Sequence, residues 1–175
     1  MALDADYGIV GDGERFSLLL SAIETGGDVS CIPGVRVKGK DSAVLPESGD
    51  TTYKRYFDVN SPHVHYYLKQ GGILNLQTKR GCPFRCIYCT YPHIDGSGLR
   101  FIDPDVVAQT ALMLQEAGAS FLFITDSTFN CHTEHSLRVA KAFIKVRLSI
   151  PWGAFFAPFK PPADYYKIMA EAGLS

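Results

Sequence analysis

The sequence predicts an α/β fold with a parallel sheet, and three observations support this fold class. From residue 72 onwards, strand-like and helix-like segments alternate three times, an order that is typical of β/α units. The run 121–125 is almost continuously apolar, which is typical of a strand in a parallel sheet covered on both faces. Because right-handed crossovers make successive units neighbours, the three strands are expected to form one arc.

The N-terminal part is expected to contain a buried strand, a helix and a hairpin. The strand is predicted over 5–10, and a glycine-containing turn with Asp12 as a candidate cap starts the helix. The apolar face of this helix consists of Phe16, Leu19, Leu20 and Ile23. A small hairpin is predicted within 31–45. The polar, proline-containing and aperiodic segment 46–71 is predicted to be a linker, whose tyrosines indicate contact with another part of the protein.

The β/α units that follow have recognisable boundaries. Asp103 and Pro104 provide a cap and a first-turn proline for the helix of the first unit, and Gly118 ends it. Gly173 likewise stops the last helix. The predicted strands cover 73–78, 121–125 and 150–156, and the predicted helices cover 103–118, 134–147 and 164–172.

A cysteine motif follows the first of these strands. Cys82, Cys86 and Cys89 have the spacing C-x3-C-x2-C, and the aromatic Tyr88 precedes the third cysteine. Three soft thiolates so close together favour a metal–sulfur centre. Since a tetrahedral zinc ion or a four-iron cluster takes four ligands, a triad leaves one coordination position open for chemistry.

This motif, with its strand, glycine, cysteine triad and aromatic in that order, resembles the radical S-adenosylmethionine (radical SAM) superfamily. The resemblance implies that the three β/α units are half of a six-unit partial TIM-type barrel. It also implies that Cys82, Cys86 and Cys89 hold a 4Fe-4S cluster whose fourth iron binds S-adenosylmethionine. Reductive cleavage of that nucleotide would then generate a 5′-deoxyadenosyl radical, with the protein positioning the cofactor.

Three further residues are candidates for cofactor binding, and no catalytic residue is assigned. Tyr88 resembles the aromatic that packs beside the adenine, although it is equally suited to anchoring the loop. Many members of the superfamily carry Gly-Gly-Glu after the second strand, where this chain has Asp126 instead. The resemblance implies that Asp126 holds the methionine amine or a ribose hydroxyl, and a cap or turn role is the alternative. Asn130 is a weaker candidate.

A second resemblance concerns residues 5–15, which resemble the last strand and helix of a cobalamin-binding, Rossmann-like domain. We therefore expect a fragment with the end of that domain at 1–32, a linker with a hairpin at 33–71, and the first half of the barrel at 72–175. In this class of radical SAM enzymes, cobalamin serves methyl transfer. The cobalamin-coordinating pattern D-x-H-x-x-G does not occur in the sequence, and the isolated fragment is expected to be inactive.

Two alternatives remain open at this point. One is a methylthiotransferase-like radical SAM enzyme, which would need further N-terminal cysteines. The other is a non-catalytic zinc or iron–sulfur module, with Cys31 or Cys131 as a fourth ligand. Otherwise these two cysteines are expected to be buried or half-buried thiols. His132 and His135 are expected on the surface, and Trp152 in the core.

Composition limits the remaining functional classes. The net charge of −1 argues against a general nucleic-acid binder, and no apolar run approaches the length of a membrane span. An odd count of five cysteines without a signal peptide argues against a disulfide framework and favours the cytoplasm. The expected partners are a small-molecule or peptide substrate and an electron donor such as flavodoxin or ferredoxin.

Overall fold

The computed structural model describes residues 4–10, 13, 15–40 and 58–175, and the account below concerns these residues. In chain order the elements are β1 (Tyr7–Ile9), α1 (Arg15–Thr25), β2 (Val35–Val37), α2 (Pro62–Gln70), β3 (Ile73–Leu76), β4 (Lys79–Arg80), α3 (Tyr91–Ile94), β5 (Arg100–Phe101), α4 (Pro104–Glu116), β6 (Phe121–Ile124), α5 (Thr133–Lys145), β7 (Trp152–Ala154) and α6 (Tyr165–Glu171).

A three-stranded parallel sheet in the order β3-β6-β7 organises the C-terminal part. Leu122 in β6 is the register partner of Leu74 on one side and of Trp152 on the other. A further parallel bridge joins Trp152 to Leu174. The predicted α/β fold with three β/α units is therefore confirmed, although every strand is shorter than predicted.

The helices that connect the strands begin and end close to the predicted residues. The Asp103 carboxylate accepts hydrogen bonds from the backbone N–H groups of Asp105 and Val106, and Pro104 occupies the first turn of α4 as expected. At the start of α5, the ring of His132 accepts a hydrogen bond from the backbone N–H of His135. These caps fix the residues at which α4 and α5 begin.

Among the described residues, the helices bury one face of the sheet more completely than the other. Alternate strand residues on that face are buried, namely Leu74, Leu76, Leu122 and Ile124. Trp152 is also fully buried, as predicted, and its indole N–H donates to the Ala172 carbonyl over 2.7 Å. On the other face Ile73 is exposed and Phe123 half-buried, so the expected burial of both faces is wrong for the described residues. Such an arc, with helices outside and an open inner side, is the geometry of a partial barrel.

The N-terminal part differs from its prediction in three ways. β1 is exposed rather than buried, and it pairs antiparallel with β2, whereas a Rossmann-like sheet is parallel. Among the described residues of α1, Leu19 is buried, but the other members of its predicted apolar face, Phe16, Leu20 and Ile23, are exposed. The hairpin within 31–45 stays a prediction: β2 is described and pairs with β1, but residues 41–45 lie outside the described residues.

The predicted linker contains a helix that composition did not reveal. α2 begins after Ser61 with Pro62 in its first turn, and Val64 on this helix is buried in the core. Tyr66 and Tyr67 are exposed, so the expectation that the tyrosines are covered is wrong for these two. Residues 41–57, and Asp12 as a cap, lie outside the described residues, and the division into three segments stays a prediction.

None of the helices in the described ranges combines the length and the apolar character that a membrane crossing requires.

Candidate metal and cofactor site

The three cysteines of the motif all line one cavity at the carboxyl ends of β3 and β6. The cavity has a volume of about 300 Å³, which lies at the lower end of the range for small-molecule sites. Its lining residues are Cys82, Phe84, Cys86, Tyr88, Cys89, Tyr91, Pro92, Thr125, Asp126, Ser127, Thr128 and Phe155. Aromatic rings and polar groups therefore surround the thiols.

A glycine fixes the first residue of the cysteine loop. Gly81 has φ +88°, and a Cβ atom there would lie 2.1 Å from the carbonyl oxygen of Gly98. Its N–H donates to the Asp95 carboxylate over 2.5 Å, and the next N–H, of Cys82, donates to the Gly96 carbonyl over 3.0 Å. The chain therefore enters the loop pressed against the turn at 95–98, and only glycine fits at this position.

The end of the loop is a turn around the second and third cysteines. The N–H of Cys89 donates to the Cys86 carbonyl over 3.1 Å, and the N–H of Tyr91 donates to the Cys89 sulfur over 3.4 Å. Cys82 is buried, Cys86 is exposed and Tyr88 is 87% exposed. Hydrogen bonds to sulfur favour the thiolate and adjust the potential of iron–sulfur centres, so the Tyr91 N–H suits Cys89 as a ligand.

The donor set fits a cluster better than a single ion. Across the described parts of the chain, no three His, Cys, Asp or Glu side chains converge on a point that one metal ion could occupy. A lone zinc ion would need its thiolates about 2.3 Å from one centre. All three cysteines instead line one cavity of about 300 Å³, and a triad of thiolates with one open position fits a 4Fe-4S cluster. A zinc site completed by Cys31 or Cys131 therefore finds no support in this geometry.

Behind the cysteines lies a buried polar wall that consists of Thr78, Lys79, Asp126 and His135. The Asp126 carboxylate accepts hydrogen bonds from the Thr78 N–H (2.8 Å), the Thr78 hydroxyl (2.5 Å), the Lys79 N–H (3.2 Å) and the Lys79 ammonium (3.2 Å). A carboxylate offers about four acceptor sites, so these donors occupy its capacity. Asp126 thereby ties the end of β3 to the loop after β6.

Lys79 is the cation of this wall, and sequence reasoning missed it. Its side chain is fully buried, as is that of Asp126. Besides the carboxylate, its ammonium group donates to the Thr128 carbonyl over 2.6 Å. Burial raises the pKa of the nearby half-buried Cys131, and a hydrogen bond from Lys79 opposes that rise. A lysine is rarely buried without a partner, but no local sequence signal identifies a partner so far along the chain.

His135 is buried, so its expected position on the surface is wrong. Its Nε2 lies 3.1 Å from the Thr78 carbonyl oxygen. Because a carbonyl only accepts, Nε2 carries the proton of the neutral ring. Burial lowers the pKa of His135 from 6.5 to about 4. His132 is half-buried and caps α5 through its Nδ1, so it is not a simple surface residue either.

The three predicted cofactor contacts occupy unlike places. Tyr88 and Asp126 line the cavity with the cysteines. Asn130 is buried away from that lining, and its side-chain amide exchanges two 2.8 Å hydrogen bonds with the backbone of Ala157. Both polar atoms of Asn130 thus hold the segment after β7. The roles of all three in cofactor binding stay predictions.

Two cavity residues outside the motif were also missed. Phe155 is exposed into the cavity and packs edge-on against Phe123, with ring centroids 5.2 Å apart. The hydroxyl of Ser127 donates to the Gly81 carbonyl over 3.1 Å. Their positions directly after β7 and β6 could have identified them from the sequence, because the loops at the carboxyl ends of parallel strands meet at one face of the sheet. Cys31 is exposed, contrary to expectation, and Cys131 is half-buried as expected.

Comparison with known protein families gives a match to the radical SAM superfamily over residues 76–175. Cytidylyl-2-hydroxyethylphosphonate methyltransferase of Streptomyces wedmorensis is 26% identical over 149 residues, which cover 77% of this chain and 27% of the relative. Tryptophan 2-C-methyltransferase of Streptomyces laurentii is 31% identical over 83 residues, covering 46% of this chain and 14% of the relative. The chain therefore spans only a minor part of the curated relatives that it matches.

Solved structures agree with the fold. The radical S-adenosylmethionine methyltransferase TsrM from Kitasatospora setae, solved with tryptophan substrate and the SAM analog aza-SAM, superposes with a TM-score of 0.82 at 23% identity. That alignment covers 97% of this chain and 36% of TsrM. A second structure of the same enzyme, with cobalamin and a 4Fe-4S cluster bound, also superposes with a TM-score of 0.82, at 22% sequence identity.

Proposed function

The chain belongs to the radical SAM superfamily, and from that premise we propose that it is part of a cobalamin-associated radical SAM methyltransferase. The observation that carries the proposal is that Cys82, Cys86 and Cys89 line one shared cavity. The relatives whose names are given above are methyltransferases, which favours methyl transfer over methylthiolation.

The three cysteines would hold a 4Fe-4S cluster, and S-adenosylmethionine would occupy the cavity beside it. When bound, this pair supplies one-electron chemistry that activates a substrate for which ordinary acid–base catalysis is insufficient. The chain's own residues hold and orient the group. Gly81 places the first thiol, and the Tyr91 N–H donates to the sulfur of the third. Phe84, Tyr88 and Phe155 supply aromatic surface to the lining of the cavity.

Contacts to the nucleotide are proposed for the residues that face the cavity. Tyr88 is exposed beside the cysteines and would pack against the adenine. Asp126 has its acceptor capacity occupied by Thr78 and Lys79, so direct capture of the methionine amine would require one of these bonds to be exchanged. Asn130 would act indirectly, by holding the backbone at Ala157.

The substrate and partners are proposed by analogy with the relatives. A small molecule is the favoured substrate, since the names of the matched methyltransferases specify small molecules. Cobalamin would be the second cofactor, as in the structure of TsrM that contains it. An electron donor such as flavodoxin or ferredoxin and a cytoplasmic location complete the proposal.

Anaerobic reconstitution tests the cofactor part of this proposal. The protein is incubated with iron and sulfide, and its visible absorption spectrum is recorded before and after addition of S-adenosylmethionine. We expect a cluster spectrum that changes with the nucleotide, and loss of iron retention in Cys86→Ala. Cys31→Ala is the matched control, because Cys31 is an exposed cysteine outside the cavity. Equal iron retention in both variants would show that the ligand assignment is wrong.

A further inference from the structure

The buried wall behind the cysteines contains an ion pair that the proposed chemistry does not use directly. We propose that Lys79 and Asp126 are positioning residues, which clamp the entrance of the cysteine loop and keep the wall behind the thiols electrically neutral. This inference rests on the proposed function for its cluster-dependent part. Its structural part stands on the hydrogen bonds of the chain alone.

The clamp joins two neighbouring segments, the one that leads to the cysteine loop and the one that follows β6. Lys79 lies on the segment that leads directly to Cys82, and Asp126 begins the loop after β6. The ammonium group of Lys79 reaches the Asp126 carboxylate at 3.2 Å and the Thr128 carbonyl at 2.6 Å. A third tie, from the Ser127 hydroxyl to the Gly81 carbonyl, lies one residue before Cys82. The loop after β6 therefore helps to position Cys82, together with the hydrogen bonds of Gly81 and Cys82 to the turn at 95–98.

Because Lys79 and Asp126 are both buried, the charge of each side chain is compensated mainly by that of the other. Both side chains have no exposed surface, so neither charge is compensated by water. Asp126 also lines the cavity, so any imbalance of charge would lie beside the group that the thiols hold. Loss of Lys79 would leave a negative carboxylate there, and loss of the Asp126 charge would leave a positive ammonium.

The first test uses the protein without its cluster and follows the alkylation of individual cysteines by mass spectrometry. In Lys79→Met we expect the buried Cys82 to react roughly tenfold faster or more, because local opening no longer breaks an ion pair. The exposed Cys86 should keep its rate. Lys145→Met is the matched control, since it removes a lysine whose 3.0 Å bond to Asp105 is solvent-exposed. Unchanged protection of Cys82 in both Lys79→Met and Asp126→Asn would overturn the clamp.

The second test measures the midpoint potential of the reconstituted cluster, which separates positioning from general stability. We expect Lys79→Met to shift the potential to more negative values and Asp126→Asn to shift it to more positive values. The double variant Lys79→Met/Asp126→Asn replaces the pair by neutral groups of similar size, so it should fold and lie between the two. If the midpoint potential shifted in the same direction in both single variants, the proposal that the ion pair keeps the wall electrically neutral would be contradicted.

The two tests also separate failure of the clamp from failure of the proposed function. If the wild-type protein takes up no iron and sulfide, the proposed function is wrong, and the alkylation of Cys82 still decides the clamp. If the single variant Lys79→Met does not fold, Asp126→Asn and the double variant provide the comparison. Faster reaction of Cys82 in Asp126→Asn supports the clamp, and wild-type protection in it contradicts the clamp.

Discussion

The polar wall and the cysteine loop differ in burial. The wall made by Thr78, Lys79, Asp126 and His135 is buried, and within the described residues no buried side-chain nitrogen or oxygen lacks a hydrogen-bond partner. The cysteine loop carries Ile87 at 102% exposure and Tyr88 at 87%. A fully bonded wall retains its geometry without a ligand, whereas a loop with so little burial has low local stability. From this difference we expect the wall to keep its geometry without a cluster, and the loop to become ordered when a cluster binds.

The largest effect is expected where the two sides join. Gly81→Ala would place a Cβ atom 2.1 Å from the Gly98 carbonyl at a φ of +88°, so the loop entrance must move. We expect a loss of about 3 kcal/mol in the free energy of unfolding, together with loss of iron retention. Denaturant titration and iron analysis measure these effects.

Gly98→Ala is the control for this change. A Cβ at Gly98 meets nothing within 4 Å, and its φ lies outside the positive range, so its stability should stay within about 1 kcal/mol of the wild-type value. Equal losses in the two variants would show that the close approach at Gly81 does not determine the loop entrance.

A second effect concerns the wall alone and depends on pH. The pKa of His135 falls from 6.5 to about 4 because the ring is buried. Below pH 6.5 His135 is protonated in the unfolded chain, whereas in the folded chain it stays neutral until about pH 4. The free energy of unfolding therefore decreases as the pH falls through this window. The contribution at the acid end is about 2–3 kcal/mol at most.

The measurement compares the unfolding free energy of the cluster-free protein and of His135→Gln between pH 7 and pH 4. Glutamine retains an N–H donor for the Thr78 carbonyl but does not titrate in this range. We expect the wild type to lose more stability than the variant on acidification. Parallel pH curves for the two proteins would contradict burial of a neutral His135.

A smaller effect is expected from Asn130, which holds the segment after β7 and does not line the cavity. Asn130→Ala removes both hydrogen bonds to the backbone of Ala157 and should cost about 1–3 kcal/mol of unfolding free energy. Because Asn130 does not line the cavity, the variant should still retain its cluster. Normal stability with a greatly weakened affinity for S-adenosylmethionine would instead favour a direct contact with the nucleotide.

The smallest effect on stability is expected on the exposed loop. Tyr88→Leu should leave the free energy of unfolding within about 0.5 kcal/mol of the wild-type value, because the ring is 87% exposed. If Tyr88 packs against the adenine, affinity for S-adenosylmethionine should fall severalfold, corresponding to about 1 kcal/mol. Spectral titration of the reconstituted protein measures this affinity. An unchanged affinity for S-adenosylmethionine would show that the Tyr88 ring does not contact the nucleotide.

Sequence patterns predicted the repetitive elements and the chemical motif, but not the wall. The helices α4 to α6 have apolar periodicity, Asp103 caps α4, and Gly118 and Gly173 follow the ends of α4 and α6. The cysteine motif is complete within one short stretch. The burial of Lys79 and His135 depends instead on tertiary partners, with Asp126 lying 47 residues after Lys79. No local pattern encodes such a contact, and for this reason His135 was wrongly expected on the surface.

The N-terminal part was harder to predict for a related reason. Three-residue strands such as β1 carry little periodic signal, and their pairing partner determines whether they are parallel or antiparallel. The helix α2 was missed because its segment is polar on average, although Ser61 and Pro62 supplied a start signal. The family model does not reach these residues, so their assignment to a cobalamin-binding domain stays a prediction.

Hydrogen–deuterium exchange of the protein without and with its iron–sulfur cluster tests the central claim most directly. We predict that the amides of Phe84 to Tyr88 exchange rapidly without the cluster and become protected when iron and sulfide bind, whereas the amides of Thr78, Lys79 and Cys82 are protected in both states. Protection of the loop that is the same in both states, or a wall that becomes ordered only with the cluster, would contradict this account.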